Sequence, residues 1–298
     1  MAQSDILLDG DYVRAALPVR KPHAHKGSFG RLLVVAGSLE FSGAPWLTAH
    51  AAVRAGAGLV YLGVPQCIWA PIAVKCTSAM PFPLPDNNGT LTVGAIGPIQ
   101  KHLRSCDVVA VGPGLGRGSG VRIVVHSMLR DVQQPIVLDA DGLNVLAENL
   151  SLLDERKGRV TVLTPHDGEF ARLCGCSIEA MLNRDRVEAS REFAVAHGCV
   201  LVRKGHRTLV ALPDGMVLEN TCGDSALAKG GSGDVLTGII AALLAQGSPA
   251  EPAAASGVWL HARAGDILSQ RLTPYCVTPE DLCDQGLPAV FREVAQQG

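Results

Sequence analysis

The stretch Arg31–Pro65, RLLVVAGSLEFSGAPWLTAHAAVRAGAGLVYLGVP, reads as strand, helix and strand. RLLVVAGS (Arg31–Ser38) is a short apolar run closed by a glycine turn. GAPWLTAHAAVRAG (Gly43–Gly56) is a helix stopped by glycine, and GLVYLGVP (Gly58–Pro65) is a second apolar run. Neither run alternates with polar residues. A strand apolar on both sides is covered on both faces, which is the condition of a parallel sheet. A helix between two such strands makes a right-handed crossover.

The unit repeats outward from there. VVAVGPG (Val108–Gly114), PIVLDADG (Pro135–Gly142), VTVLTPH (Val160–His166) and CVLVRKG (Cys199–Gly205) are further strand runs, with helices such as Val121–Asp131 and Asn183–His197 between them. TLVALPDGMVLEN (Thr208–Asn220) carries Pro-Asp-Gly between two apolar runs and reads as an antiparallel hairpin on the sheet edge. Helices over Asp234–Gln246, Ala253–Gln270 and Pro279–Gln297 follow. The expected fold is α/β, with a mostly parallel central sheet, helices on both faces and a C-terminal edge hairpin. No linker or charge block divides the chain, so one domain over residues 1–298 is expected, with residues 1–26 as a short appended helix.

Composition narrows the function. A hydrophobic fraction of 47% and mean hydropathy of +0.23 describe a well-buried protein. The net charge of −2 gives no basic surface for nucleic acid or lipid, and 4% aromatics give no stacking platform for bases. MAQSDILLDGDYVRAALPV has no basic segment before an apolar run, so it does not read as a signal peptide. The nine cysteines are scattered without a CxxC, which points to reduced thiols in a cytoplasmic protein.

The strand ends are unusually polar or glycine-rich: AGS, GPGLG, DADGLN, TPHDGE and RKGHRT. In a parallel sheet they share one rim, and ligands bind beyond the carboxyl ends of such strands. VGPGLGRGSG (Val111–Gly120) fails the dinucleotide fingerprint, because Arg117 stands where the third glycine belongs. Two readings stand for it, a tight turn or a backbone-lined approach to a large ligand. DADGLN is either a turn with a helix cap or part of the same rim. In TPHDGE, capping explains Thr164 and Asp167 but not His166, which either hydrogen-bonds a bound substrate or is structural or merely exposed. KGHRT (Lys204–Thr208) suits phosphate oxygens or is a solvated turn.

AKGGSGDVLTGIIAALLAQG (Ala228–Gly247) carries the strongest chemical signal. Glycines at 230, 231 and 233 allow close ligand approach. The helix that follows turns its unpaired N–H groups on Gly231, Ser232 and Gly233 toward that space as an anion hole. Asp234 can then accept a proton from a substrate hydroxyl while a phosphoryl group is transferred, or it simply caps the helix. The apolar helix body is buried and would hold the loop rigid.

Together these residues resemble a family. A GGSGD loop before a buried helix is similar to the anion hole and base of the ribokinase-like superfamily. The ordered set HKGSFGRLLVVAGS, SGAPWLTAHAAVRAGAGLV, GPGLGR, DADGLN, TPHDGE, KGHRT and NTCGDSALAKGGSGDVLTG resembles the ADP-dependent NAD(P)H-hydrate dehydratase family, from about His25 to Gly247. The resemblance implies a lyase of metabolite repair. It removes water from the S epimer of hydrated NADH or NADPH, converts ADP to AMP and phosphate, and needs Mg²⁺. It implies a phosphorylated intermediate with Asp234 as base. It places Ala44, Gly114, His166 and Asp234 on the hydrated cofactor, and Lys204, Gly205, His206, Arg207, Thr208 and Gly233 on the adenine nucleotide. Glu169 is the candidate to reach the metal through water, with no metal ligand fixed. A homo-oligomer, a tetramer among the options, is expected. So is a separate epimerase protein as functional partner, since the chain holds no N-terminal epimerase domain. Two other functions are carried alongside. A ribokinase-like kinase for a vitamin precursor would leave a stable phosphorylated alcohol. A non-catalytic nucleotide-binding regulator would keep the glycine loops without needing Asp234.

Overall fold

Continuous apolar runs demand cover on both faces, and they receive it in one ten-stranded sheet. The computed structural model describes residues 3–296, so Gln297, the expected end of the last helix, lies outside the described residues. The strands are β1 (Ile6–Leu8), β2 (Arg31–Val35), β3 (Leu59–Pro65), β4 (Met80–Leu84), β7 (Val108–Val111), β8 (Ile136–Leu138), β9 (Thr161–Leu163), β10 (Val200–Arg203), β11 (Leu209–Ala211) and β12 (Val217–Asn220). The pair β5 (Asp86–Asn87) and β6 (Thr90–Leu91) forms a separate small hairpin. The order across the sheet is β1-β12-β11-β10-β9-β8-β7-β2-β3-β4. Only β11 runs against its neighbours.

The chain lays α1 (Gly10–Ala16), α2 (Gly43–Arg54) and α3 (Gln66–Lys75) on one face. It crosses to the other for α4 (Ile96–Leu103), α5 (Ser119–Asp131), α6 (Asp141–Ala147), α7 (Ser151–Glu155), α8 (Asp167–Leu173), α9 (Ile178–Leu182) and α10 (Arg186–His197). It returns with α11 (Ser232–Ala245), α12 (Ala250–Leu272), α13 (Pro279–Asp281) and α14 (Leu287–Gln296), the last two joined by a π-helical turn. Two apolar cores result, one on each side of the sheet. α11 is buried along its whole body against α2 and α12, as its apolar sequence requires.

Two expectations are corrected at the edges. Residues 1–26 are not an appended helix alone. Ile6–Leu8 form β1, which pairs parallel with β12, and Asp5 Oδ2 accepts a hydrogen bond of 2.8 Å from Val217 N. The β11–β12 hairpin therefore lies inside the sheet, with β1 as the edge. A three-residue strand beside a capped helix is too short to show periodicity, so nothing in the sequence marks it. The opposite edge is β4, MPFPL, a strand absent from the sequence reading. Pro81 and Pro83 argue against a central strand, but an edge tolerates missing donors on its outer side.

Candidate active site

Six parallel strands, β2, β3 and β7 to β10, bring their carboxyl ends to one rim. Asp139, just past the end of β8, is 1% exposed. Its Oδ1 accepts from Lys204 Nζ at 2.7 Å, and its Oδ2 accepts from Thr237 Oγ1 at 2.7 Å. One carboxylate thus ties the end of β8 to the end of β10 and to the second turn of α11. The next residue, Ala140, has φ 50°, a left-handed conformation that costs a β-carbon-bearing residue energy and that Asp139 and α6 on either side hold in place.

Asp234 stands in the first turn of α11, facing this cluster. It is not the cap. Gly231 occupies the cap position at φ 95°, and a side chain there would meet Leu47 at 2.6 Å. No side chain caps the helix, but of the expected anion hole of Gly231, Ser232 and Gly233 the Ser232 N–H is already engaged, donating to the Lys229 carbonyl at 3.2 Å as the chain turns into the helix. Burial pushes the Asp234 carboxyl up to about 7, Asp139, Asp141 and Glu169 add to the rise, and Lys204 opposes it. Burial alone would lower the Lys204 ammonium, but Asp139 and Glu169 outweigh it and hold it above its ordinary value. A carboxyl poised near neutral pH beside open backbone donors suits proton transfer coupled to anion binding.

On one side of Asp234 opens a cleft of about 870 Å³. It brings together Lys204, Gly205, His206, Arg207, Thr208 and Gly233, with His166 at its border. Arg186 shapes the 204–208 turn by donating to the carbonyls of His206 and Arg207 at 2.7 and 3.0 Å, and to that of Lys204 at 3.1 Å. The basic side chains of the turn are less free than the sequence implied. Lys204 is engaged with Asp139, and Arg207 pairs with Glu219 at 2.7 Å. The far wall runs from Asn220 to Lys229, the start of the NTCGDSALAKGGSGD motif, and over Val258 to Ala262, which sequence reasoning did not single out. It includes a buried pair, Ser232 Oγ and His261 Nε2 at 3.0 Å. Burial, with Lys204 nearby, pushes His261 down to about 4, so the imidazole is neutral.

Ala44, at the start of α2, and Gly114, in the loop after β7, lie against each other. A β-carbon at Gly114 would stand 3.0 Å from that of Ala44. Gly112 must be glycine, since a β-carbon would come within 1.9 Å of the Asp139 carbonyl. Asp141 fastens this loop by accepting from Gly116 N at 2.8 Å. DADGLN is therefore part of the rim, through Asp139 and Asp141 together.

His166 departs from the expectation that Thr164 and Asp167 do the capping. Its Nδ1 accepts from Gly168 N and Glu169 N at 3.0 and 3.3 Å, and Glu169 Oε2 accepts from His166 N at 2.9 Å, closing a capping box on α8. Asp167 instead pairs with Arg203 at 2.7 Å. The His166 ring stays 56% exposed, with Nε2 3.5 Å from Glu169 Oε1. Glu169 is buried in these contacts and 3.9 Å from Lys204. Among the described residues no group of three or more His, Cys, Asp or Glu is arranged to hold a metal by itself.

Comparison with known proteins places this architecture. The family model described as NAD(P)H-hydrate dehydratase matches residues 32–286. The chain is 42% identical over 292 residues to the bifunctional NAD(P)H-hydrate repair enzyme Nnr of Moorella thermoacetica, covering 98% of this chain and 54% of the relative. It is 38% identical over 253 residues to the ADP-dependent (S)-NAD(P)H-hydrate dehydratase of Neisseria meningitidis serogroup B, covering 84% of this chain and 81% of the relative. The crystal structure of the ADP/ATP-dependent NAD(P)H-hydrate dehydratase of Bacillus subtilis, co-crystallised with ATP/Mg²⁺, superimposes with a TM-score of 0.81 at 29% identity, covering 98% of this chain and all of that one. The chain thus spans about half the length of the bifunctional relatives it matches.

Proposed function

The chain belongs to the NAD(P)H-hydrate dehydratase family, and from that premise we propose that it dehydrates the S epimer of hydrated NADH and NADPH, converting ADP to AMP and phosphate. The observation that carries this reading is Asp234. Its carboxyl is held at about 7, at an uncapped helix start, next to Gly233 on the wall of a nucleotide-sized cleft.

The residues divide the work as follows. The 204–208 turn and Gly233 hold the adenine nucleotide in the 870 Å³ cleft. Ala44, Gly114 and His166 Nε2 place the hydrated nicotinamide ring with its hydroxyl toward Asp234. Asp234 takes the hydroxyl proton as that oxygen attacks the terminal phosphorus of ADP, and the bond to the AMP oxygen breaks. The N–H groups of Gly231 and Gly233 meet the charge on the phosphoryl oxygens. Lys204, fixed by Asp139, adds its positive charge to the same space. Phosphate then leaves the ring carbon, driven by the ring nitrogen lone pair. The adjacent carbon loses a proton to the departing phosphate, and the double bond returns.

Mg²⁺ is usually carried by nucleotide phosphates and water with one or two carboxylates, not by an all-protein cage. Asp139 has both oxygens committed to Lys204 and Thr237, so Glu169, 3.9 Å from Lys204, is the carboxylate of this cluster that would receive metal-bound water. When bound, the ion would neutralise phosphate charge there.

Absorbance in the reduced-nicotinamide band tests the reading. Incubating the protein with hydrated NADH and ADP should restore that absorbance and yield AMP. A stable phosphorylated alcohol from a vitamin precursor, with no recovery from hydrated NADH, would favour the kinase. No turnover of either would leave a regulator.

A further inference from the structure

Beyond the Gly114 wall lies a second cavity, of about 550 Å³. It shares no lining residue with the nucleotide cleft. Three arginines face it, Arg117, Arg122 and Arg172, against one acid, Glu148. Arg122 lies 3.6 Å from Glu148, a long and exposed pairing. Arg172 donates Nε to Asn144 Oδ1 at 2.9 Å, and its terminal nitrogens make no other bond among the described residues. Arg117 has no hydrogen-bond or ion-pair partner among them. The cavity wall therefore carries an excess of two positive charges with unused guanidinium donors, on a protein whose net charge is −2.

Its position connects it to Asp234. Asp141, one of the charges that raise Asp234, accepts from Asn144 Nδ2 at 3.2 Å, and Asn144 in turn holds Arg172. Asp141 also holds Gly116, the residue before Arg117. The arginine cavity is thus one side chain beyond the wall against which the hydrated ring is placed. The hydrated dinucleotide is much longer than its ring. Its remaining anionic groups are the pyrophosphate and, in the NADPH form, a 2′-phosphate. Arginine forks match such oxygens.

Resting on the proposed function, we infer that the cavity lined by Arg117, Arg122 and Arg172 binds a phosphate of the hydrated dinucleotide and contributes substrate affinity that ADP does not use. The test is calorimetric titration of hydrated NADH and hydrated NADPH into the wild-type protein and an Arg117→Ala/Arg122→Ala variant, at low and high salt. Both side chains are exposed, so the fold is expected to survive. The variant should bind at least one dinucleotide about tenfold more weakly, the scale of a lost charge-assisted contact. The loss should shrink at high salt, and ADP affinity should be unchanged. A loss confined to the NADPH form assigns the cavity to the 2′-phosphate, and an equal loss for both forms assigns it to the pyrophosphate. Unchanged affinity for both, or an equal loss for ADP, overturns the inference. If the wild-type protein neither binds nor turns over either hydrate, the proposed function itself fails, before the variant is compared.

Discussion

Lys204 Nζ lies 2.7 Å from Asp139 Oδ1, while Thr237 fills the other oxygen of that carboxylate at 2.7 Å. The pair is a structural tie across the rim as well as a source of charge beside Asp234. Removing one partner of a buried pair leaves the other uncompensated, at a cost on the order of 3–5 kcal/mol. Lys204→Met should lower the denaturation midpoint accordingly. Because Lys204 pulls Asp234 down, the same change should move the acidic limb of the kcat/KM profile, set by the base Asp234, above about 7. Asp141→Asn should move that limb the other way, since Asp141 pushes Asp234 up. A profile unmoved by either change would separate these residues from the titrating group.

His166 lends itself to a split experiment. Its Nδ1 caps α8, and its ring remains 56% exposed with Nε2 near Glu169. His166→Asn keeps a cap-forming oxygen, whereas His166→Ala does not. Loss of the cap costs about 1 kcal/mol. The alanine variant should lose that stability and raise KM for the hydrated cofactor. The asparagine variant should keep its melting temperature and still raise KM. If asparagine restores both, the ring does no more than cap the helix.

Asp234 also sets a pH dependence of stability. Its carboxyl stands at about 7 in the fold, above the ordinary value of 3.8. The folded state therefore favours the protonated form. The contribution is full below about pH 4 and is lost as pH rises through about 7. Asp234→Asn should stabilise the protein more at pH 8 than at pH 4. Urea titrations at the two values measure this, and an equal effect at both would mean that the carboxyl does not titrate near neutrality.

Much of the fold was legible because buried parallel strands announce themselves as unbroken apolar runs, and VVAV or VLVR can be little else between glycine turns. The edges were not legible. β1 is three residues long, and β4 carries two prolines that only an edge position tolerates. At the site, the glycine loop and Asp234 are contiguous and could be seen as a unit. The charges that tune Asp234 could not, because Lys204 and Asp139 are 65 residues apart and Thr237 is 98 from Asp139. Ser232 and His261 meet in the same way, from two helices 29 residues apart. For His166, the usual preference for Thr or Asp as cap concealed a histidine whose ring nitrogen does the capping.

The most direct test of the account is Asp234→Asn, read twice on the same sample. Gly231, not Asp234, occupies the cap position of α11, so the substitution leaves the cap and its backbone donors in place. ADP affinity by calorimetry should be retained or improved, as one negative charge leaves the phosphate site. Recovery of reduced-nicotinamide absorbance from hydrated NADH and ADP should fall by at least about a hundredfold, the least expected for loss of a positioned base. Near-normal recovery with intact ADP binding would contradict the assignment of Asp234 as the base and the phosphoryl-transfer route that depends on it.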